Sequence, residues 1–375
     1  MAARSKPLSS LRGAGRMAAW RAHAYGSGLA ELQLEAARVP PLRAPDDVLV
    51  RVAAASINPL DVAMLGGYGS RLLNVLRGLE GAEGVEFPLV GGRDFVGTVA
   101  RCGPAARVRE GQRVWGVVPP HRPGSHADYV LVRDRWVGQA PEALDDASAG
   151  GALYAALTAS AALRVAGLRG GARGARVLLL GLGGVGHAAL QLLVADGARV
   201  TVGCAGEQGA HALALGAAAA LDRHAPDYDA QLEDGGPYDV ILDCAGLGGA
   251  EAGARRWQFA RYVTLTTPLL RETDERGVVA GTAVATATLL AHSAAAARVS
   301  RAASTGVCPP HVRWAYFTPS EDEIEALRKL AEKGKFVVQV ERVFPWWEAR
   351  AALQRAAAGS ARGKLLLDFT QQHHD

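Results

Sequence analysis

The sequence predicts an α/β protein in which an all-β domain is interrupted by a doubly wound domain with a parallel sheet. From Leu32 to about Val137, short runs of β-branched and aromatic residues alternate with Pro and Gly, which is typical of a β domain with many turns. From about Ala147 to Val338, apolar strands alternate with helices, which indicates a parallel sheet covered on both faces. The tail returns to β character in FVVQVERVFP and KLLLDF, so we expect its last strand to pair with the first domain.

A glycine motif opens the parallel-sheet region. The segment VLLLGLGGVGHAAL contains an apolar strand, Val177 to Leu180, then G-x-G-x-x-G, then an apolar helix. Such a turn lets the backbone approach a pyrophosphate at the amino terminus of the helix, as in the Rossmann dinucleotide fold. The alternative is a glycine-rich βα turn that binds no ligand. The predicted cofactor-binding residues of the turn are Gly181, Leu182, Gly183, Gly184, Val185 and Gly186.

The next strand, RVTVGC, predicts which dinucleotide binds. NAD-binding chains carry Asp or Glu at its end to accept from the ribose hydroxyls. Here Cys204 and Ala205 stand at that end, and Glu207 comes late. Without a carboxylate to repel it, a 2′-phosphate is tolerated, and Arg223 in ALDRHAP is its predicted partner. This favours NADPH over NADH, unless Arg223 is only a solvated loop charge.

The positive charge of the chain is concentrated at its amino terminus. The formal net charge is +4, and the first 30 residues contain five basic residues and no acid, so the rest is close to neutral. A nucleic-acid footprint is therefore not expected. The segment is also rich in Ser and lacks a continuous apolar core, so we interpret residues 1–24 as a mitochondrial presequence. The alternative is an irregular tail, with Met17 as a second start.

Cysteine spacing and hydropathy exclude further classes of protein. The four cysteines lie far apart and form no CxxC pair, which argues against a structural zinc lobe or a secreted disulfide scaffold. Two apolar stretches, 177–202 and 279–299, are broken by glycines or by polar residues. Neither is a convincing membrane span, and no transmembrane segment is predicted.

Several motifs resemble, in order, the zinc-free quinone oxidoreductase branch of the medium-chain dehydrogenase/reductase superfamily. They are SINPLDVAMLGGYG, FPLVGGRDFVGTV, LYAALTASAAL, GLGGVG and FPWWEARAALQRAAAGSARGKLLL, spread from residue 45 to 368. The resemblance implies a GroES-like β domain with an inserted Rossmann domain, NADPH bound between them, and a mitochondrial location in the matrix or at the outer membrane. It divides the chain into a presequence, 1–24, a GroES-like part, 25–150, a Rossmann domain, 151–333, and a return to the GroES-like domain, 334–375.

The same resemblance predicts that catalytic zinc is absent. Zinc-dependent members of the superfamily bind the metal through Cys, a His followed by Glu, and a further Cys or Asp. Those positions correspond here to Asn58, to Arg93 with Asp94, and to Tyr154. A guanidinium has no free lone pair, and an amide or a phenol is a poor substitute for thiolate. We expect Arg93 and Asp94 instead to form a structural ion pair.

Without a metal Lewis acid, the accessible reaction is hydride addition to an electron-poor acceptor, a quinone or an enone. The protein then positions the acceptor and donates hydrogen bonds to its oxygen. By analogy with quinone reductases, the candidate donors are Asn58, Tyr68, Tyr154 and Thr158.

Some of these donors also have a purely structural interpretation. Asn58 precedes Pro59 and can simply set a turn. Tyr68 can anchor a loop, and Thr158 can bond to backbone. His126 lies in a polar loop, where a surface role is expected rather than catalysis.

Further cofactor contacts follow from the resemblance, position by position. They are Ala205, Arg223, Cys244, Leu265, Tyr316, Phe317, Ser360, Ala361 and Arg362. Several depart from the pattern of the branch, in which Ala205 is a serine, Arg223 a tyrosine, Cys244 an asparagine and Ser360 a histidine. The glycine turn is also one residue shorter than GASGGVG and lacks its serine. Lost hydroxyls at the phosphates weaken NADPH binding, which Arg223 can offset.

Three hypotheses for the function remain open. The first is a mitochondrial NADPH-dependent quinone or enone reductase linked to ubiquinone metabolism. The second is a catalytically weak, NADPH-bound interaction protein that docks to a membrane protein of the reticulon family. The third is a 2-enoyl thioester reductase. The sequence leaves the oligomeric state open.

Overall fold

The computed structural model describes residues 8–26, 29–80, 86–300, 309–359 and 361–372. Its strands are β1 Arg16–Ala22, β2 Leu32–Arg38, β3 Asp47–Ile57, β4 Asp94–Cys102, β5 Arg113–Val117, β6 Tyr129–Arg133, β7 Val137–Gln139, β8 Arg176–Leu180, β9 Arg199–Cys204, β10 Ala219–Asp222, β11 Tyr238–Asp243, β12 Phe259–Thr264, β13 His311–Trp314, β14 Val340–Pro345 and β15 Lys364–Asp368. Its α-helices are α1 Pro59–Leu65, α2 Ser70–Leu79, α3 Asp146–Gly150, α4 Leu153–Val165, α5 Gly184–Ala195, α6 Gly209–Ala214, α7 Tyr228–Asp234, α8 Glu251–Ala254, α9 Leu269–Arg276, α10 Val278–Val299, α11 Glu321–Glu332 and α12 Ala349–Ala357.

The chain forms two compact units. The first comprises Met1–Tyr154 and Pro319–Asp375, and the second comprises Ala155–Thr318. The first unit contains a seven-stranded sheet in the order β14-β15-β3-β4-β5-β7, with β6 paired to β3, and a two-stranded sheet of β1 and β2. β15 pairs antiparallel with β3. The prediction that the tail returns to the first domain is therefore confirmed.

The second unit is built on a six-stranded parallel sheet. Its strand order is β10-β9-β8-β11-β12-β13, and every neighbouring pair runs parallel. This order, with the first strand beside the fourth, is that of a Rossmann fold, and its switch point lies between β8 and β11. The two central strands contain uninterrupted apolar runs, VLLL in β8 and VIL in β11, because both faces of the sheet are covered there. The predicted α/β fold class is confirmed.

The domain boundary after residue 333 differs from the structure. Helix α11 belongs to the first unit and packs there against β7. Its Ile324 and Leu327 are buried, and a Cβ placed on Gly138 of β7 would come within 2.8 Å of the Ile324 side chain. The amphipathic pattern of this helix resembles that of the preceding helices, so the pattern alone does not reveal the sheet on which it packs.

The amino terminus also differs from the expectation. Part of the segment interpreted as a presequence is β1, which pairs with β2 along its whole length. Trp20 of β1 is buried, and its indole N–H donates to the main-chain oxygen of Trp346 at 2.6 Å. Cleavage after residue 24 would remove this strand from the folded unit. A presequence compatible with the structure ends before Arg16.

Helix α10 is long and apolar enough to cross a membrane by length and composition, with a mean hydropathy of 1.5. Only 11% of its most apolar stretch is buried, and Val279 and Leu290 are 87% and 66% exposed. Within the second unit it packs against α9, α8 and β13. These observations alone do not make α10 a membrane span.

Candidate functional site

The glycine turn between β8 and α5 has the geometry that a phosphate-binding turn requires. Gly181 has φ of +88°, and a Cβ there would lie 3.0 Å from the backbone of Ala245. A Cβ on Gly186 would lie 2.1 Å from the carbonyl oxygen of Gly181, so only glycine lets the helix pack this close to the strand.

The amino terminus of α5 is open to a ligand. Gly183 is its N-cap residue, no side chain caps the helix, and a Cβ on Gly183 would meet no atom within 4 Å. Backbone N–H groups that lack a side-chain cap, together with the helix dipole, suit a pyrophosphate. The predicted turn residues therefore fit a dinucleotide. Leu182 is buried, and its carbonyl oxygen accepts from the side chain of Gln208 at 3.3 Å, which fixes the turn to the segment after β9.

Other predicted cofactor residues of this unit follow the carboxyl ends of neighbouring strands. Leu180, Asp243, Thr264 and Trp314 are aligned across β8, β11, β12 and β13. The residues that follow them in the chain, Gly181, Cys244, Leu265 and then Tyr316 with Phe317, therefore share one edge of the sheet. In open α/β sheets ligands bind outside this edge. Burial raises the pKa of the Cys244 thiol, so Cys244 contributes a neutral side chain.

Asp243 organises the loop at this edge, and the sequence analysis missed it. It is fully buried at the end of β11. Its carboxylate accepts from four successive backbone N–H groups, those of Ala245, Gly246, Leu247 and Gly248, and from the hydroxyl of Thr264 at 2.8 Å. An acid directly after the apolar run VIL, before a glycine-rich loop, was the available signal. Asp243 thus fixes the loop that directly follows the predicted contact Cys244.

The adenosine end contains a carboxylate beside the predicted phosphate partner. The backbone N–H of Arg223 donates to the carbonyl oxygen of Cys204 at 2.8 Å, and its guanidinium is exposed and contacts His224. Asp222, at the end of β10, lies close to the loop after β9, because a Cβ on Gly206 would come within 2.6 Å of its carboxylate. Ala205, which follows Cys204 at the end of β9, is half-buried. The environment is therefore more mixed in charge than Arg223 alone suggests.

In the first unit, Arg93 and Asp94 do not form the expected ion pair with each other. Arg93 is completely buried, and its Nε donates to the carboxylate of Asp61 at 3.3 Å. Its remaining donors bind the main-chain oxygens of Val90, Pro119, Pro120 and Arg122. Burial lowers the pKa of Arg93, and the Asp61 carboxylate opposes that effect. Arg93 therefore ties together the loops before β4 and after β5.

Asp94 forms a separate network with Ser56 and Asn58. Its Oδ1 accepts from the hydroxyl of Ser56 and from the Nδ2 of Asn58 at 3.3 Å, and its Oδ2 accepts from the backbone N–H of Tyr154 at 3.0 Å. All three residues of the network, Ser56, Asn58 and Asp94, are buried. The structure thus brings together two predicted site residues, Asn58 and Tyr154, around a carboxylate.

The amide of Asn58 is occupied on both sides. Its Nδ2 donates to Ser56 at 2.9 Å and to Asp94, and its Oδ1 accepts from the ammonium of Lys364 at 2.7 Å. Ser56 Oγ and Asp94 Oδ1 are bonded to each other, so they share one N–H group of Asn58, and the expected donation to an acceptor oxygen concerns its second N–H group alone. Lys364, at the start of β15, was missed, since a lysine before an apolar strand gives no signal of burial.

The other predicted donors lie in different surroundings. Tyr68 is 36% exposed, in the turn after α1. Burial raises the pKa of Tyr154, so its phenol stays protonated. Thr158 is buried in α4 and belongs to the second unit. Ala361 and Arg362 precede β15 in the first unit, and Ser360 lies outside the described residues.

The buried histidine of the first unit contradicts the expectation of a surface role. His126 is 1% exposed, and its Nε2 lies 3.0 Å from the main-chain oxygen of Ser56. Burial lowers its pKa. Within the part of the chain that the structure describes, no group of three or more His, Cys, Asp or Glu side chains is arranged to hold a metal ion.

Two family models match the chain. Residues 44–142 match the alcohol dehydrogenase GroES-like domain, and residues 215–367 match a family described as zinc-binding dehydrogenase. Among solved structures, the quinone oxidoreductase from Coxiella burnetii superposes with a TM-score of 0.73 at 25% identity, covering 94% of this chain and 99% of that one.

Curated relatives match over nearly the whole chain. NAD(P)H oxidoreductase RTN4IP1, mitochondrial, of Drosophila melanogaster is 35% identical over 98% of this chain and 90% of its own length. Reticulon-4-interacting protein 1, mitochondrial, of Caenorhabditis elegans is 30% identical over 94% of this chain and 95% of its own. Both names state a mitochondrial location, and the predicted mitochondrial localisation is confirmed. The chain belongs to the RTN4IP1 family of oxidoreductases, within the medium-chain dehydrogenase/reductase superfamily.

Proposed function

We propose that this protein is a mitochondrial, NADPH-dependent oxidoreductase that transfers hydride to a quinone or another conjugated carbonyl, without zinc. The observation that carries the proposal is the buried network of Ser56, Asn58 and Asp94. It contains the positions that resemble the metal-ligand positions of zinc-dependent members. The solved neighbour named a quinone oxidoreductase supports the acceptor class.

The residues at the positions that correspond to the metal ligands of zinc-dependent members are unsuited to zinc. Asn58 is an amide whose oxygen is already bound by Lys364, and Arg93 carries a cation whose donors are all directed at Asp61 and backbone oxygens. The phenol of Tyr154 stays protonated because burial raises its pKa. Zinc prefers thiolate, neutral imidazole and carboxylate, and Asp94 alone among these positions supplies such a ligand, so they do not form a competitive site. The match to a family described as zinc-binding therefore concerns fold rather than metal.

The second unit would hold NADPH along the edge of its parallel sheet. Gly183, Gly184 and Val185 offer backbone N–H groups to the pyrophosphate, and Arg223 offers a guanidinium to the 2′-phosphate. Cys244 and Leu265 would contact the cofactor at the ends of β11 and β12, and Tyr316 and Phe317 would lie beside the nicotinamide. When bound, the cofactor supplies the hydride. The chain's own residues orient the acceptor, exclude water and donate to the oxygen on which negative charge develops.

A conjugated acceptor suits a site without a Lewis acid. In a quinone or an enone, conjugation spreads the negative charge that develops, so hydrogen-bond donors suffice where an isolated ketone would need a metal. In mitochondria, quinones related to ubiquinone are acceptors of this class, and we place the activity in ubiquinone-related chemistry.

Hydride transfer can be measured directly. The purified full-length chain is mixed with NADPH or NADH and a panel of short-chain quinones, enones and enoyl thioesters, and oxidation of the cofactor is followed. We expect turnover with quinones or enones, preference for NADPH, and no loss of rate with a zinc chelator. Activity that a chelator removes and zinc restores would contradict zinc independence, and thioester turnover alone would select the third hypothesis.

A second candidate is a weakly catalytic interaction protein that docks to a reticulon-like membrane protein. The exposed apolar face of α10 and the lost serine hydroxyls, at Ala205 and in the shortened glycine turn, favour it. It predicts that NADPH raises the melting temperature through binding, with no turnover of any acceptor. Turnover comparable to that of ordinary oxidoreductases would reject it.

A further inference from the structure

Lys364 places a positive charge inside the first unit. The residue is 7% exposed, and lysine is seldom this buried unless it is paired. Its ammonium donates to the Oδ1 of Asn58 at 2.7 Å, and no carboxylate of the described residues forms an ion pair with it. An ammonium has three N–H groups, so this neutral partner leaves donors and charge unmatched. Burying such a charge is unfavourable unless a further partner, such as a bound ligand, forms hydrogen bonds with it.

The position of the ammonium is fixed by its neighbours. The Asn58 amide cannot turn over, because its Nδ2 is held by Ser56 at 2.9 Å and by the Asp94 carboxylate at 3.3 Å. The Asp94 carboxylate polarises this amide and strengthens Oδ1 as the acceptor for Lys364. On the other side, Lys364 Cε packs against Gly151, where a Cβ would come within 3.4 Å. The chain therefore holds a rigid cation next to a predicted catalytic residue.

We propose that Lys364 is a catalytic residue whose ammonium binds the carbonyl oxygen of the acceptor. This rests on the proposed function and changes the role predicted for Asn58. The Asn58 amide is bonded to Ser56, Asp94 and Lys364, whereas the ammonium has Asn58 as its one hydrogen-bond partner among the described residues, so the charged donor to the acceptor is the lysine that Asn58 positions. The ammonium stands beside a position at which zinc-dependent members of the superfamily bind their metal, and it supplies positive charge there.

The chemical step is balanced with one hydride and one proton. The hydride and its two electrons bond to the electron-poor carbon of the acceptor, and NADPH becomes NADP⁺. The displaced electron pair ends on the carbonyl oxygen, where the ammonium neutralises its charge. One N–H bond of Lys364 then breaks as the new O–H bond forms, and the resulting amine regains its proton from water. An enone gives the saturated ketone through its enol. A quinone gives the hydroquinone after tautomerisation, in which the reduced carbon loses a proton to water and the second oxygen gains one.

The test compares Lys364→Met with Lys364→Arg. Met keeps the length of the side chain and removes the charge, whereas Arg retains the charge. Lys335→Met, at an exposed position of the same unit, is the matched control. With NADPH saturating, we expect Lys364→Met to lower kcat about 10²- to 10³-fold, as loss of one oxyanion donor does. We expect Lys364→Arg to recover part of kcat and the control to match wild type.

A second readout needs neither cofactor nor turnover. 4-Nitrophenol is titrated with the full-length protein, and its phenolate absorbance is recorded. A buried ammonium should raise the ratio of bound phenolate to phenol about tenfold, and Lys364→Met should abolish that gain. If the Met variant does not fold, Lys364→Gln takes its place.

The outcomes separate the two proposals. Loss of NADPH affinity, with kcat restored at saturating cofactor, would assign Lys364 to the cofactor and overturn the inference. Equal phenolate ratios in wild type and Lys364→Met would overturn it as well. A protein that binds phenolate through Lys364 but reduces no acceptor would leave an anion site without the proposed function.

Discussion

The two units form their candidate sites from different groups, one from the backbone and the other from side chains. The parallel-sheet unit uses backbone, with glycines that admit a close approach at Gly181 and Gly186 and free N–H groups at the start of α5. The β unit uses side chains, a buried network of Ser56, Asn58, Asp94 and Lys364 drawn from strands far apart in the chain. A backbone site is specified within a few consecutive residues, whereas a side-chain site needs the whole fold. The first can therefore be recognised in a sequence, and the second cannot.

The side-chain unit should be the more sensitive to a single substitution. Arg93→Met leaves the Asp61 carboxylate and four main-chain oxygens buried without their partner. We expect the free energy of unfolding of this unit to fall by about 3–5 kcal/mol, as when one partner of a buried ion pair is removed. Urea denaturation, with limited proteolysis to follow each unit, measures the loss.

The matched control for this change is Arg101→Met on the same strand, β4. Arg101 is exposed, so its substitution should change stability by less than about 0.5 kcal/mol. If the two variants unfold at the same urea concentration, Arg93 does not hold the loops of the unit together.

What the sequence could predict follows from this contrast. The glycine turn, the alternation of strands and helices that builds a parallel sheet, and the return of the tail are encoded in local patterns, and all of them appear in the structure. The prediction of an ion pair between Arg93 and Asp94 was wrong for a physical reason. Neighbouring residues of an extended chain point to opposite sides, so Arg93 reaches Asp61 while Asp94 faces Ser56.

Other features needed the tertiary structure. Lys364 and Asn58 lie 306 residues apart in sequence, and no local pattern joins them. Trp20 lies in a basic segment that resembles a targeting sequence, yet it is buried and bonded to Trp346. His126 lies in a polar stretch of the sequence. Its burial becomes visible in the structure, where Gly91 and Gly92 pack against its ring.

The backbone unit offers a sharper comparison between two glycines of one turn. Gly186→Ala places a Cβ 2.1 Å from the Gly181 oxygen, so the helix must move away from the strand. We expect a loss of stability near the upper end of about 1–3 kcal/mol, together with loss of NADPH binding. Thermal unfolding with and without NADPH reports both effects.

Gly183→Ala is the matched variant of this pair. A Cβ there meets no protein atom within 4 Å, so the fold should be unaffected. The methyl group instead occupies space at the start of α5, and NADPH should then raise the melting temperature less than in wild type. Full NADPH stabilisation of Gly183→Ala would show that the phosphates do not approach this residue.

The smallest expected effect concerns pH and lies in the helices beside the glycine turn. Burial lowers the pKa of His187 to about 4, and His211, whose Nε2 lies 3.1 Å from that of His187, acts in the same direction. The Gln191 side chain donates to Nδ1 at 3.0 Å, which fixes the neutral ring with its proton on Nε2. Folded His187 therefore remains neutral over a range in which the unfolded chain, with a pKa of 6.5, takes up a proton.

Because the unfolded state binds more protons below pH 6.5, this contribution to stability is complete above that pH and is lost progressively toward pH 4. At one pH unit below the pKa of the unfolded state, the protonation of His187 in the unfolded chain lowers the free energy of unfolding by about 1.4 kcal/mol. Urea denaturation of the parallel-sheet unit between pH 7.5 and about 5 would measure it. His187→Gln should flatten the dependence, whereas His224→Gln, at an exposed position, should leave it unchanged. An unchanged slope in His187→Gln would mean that another group controls the acid sensitivity of this unit.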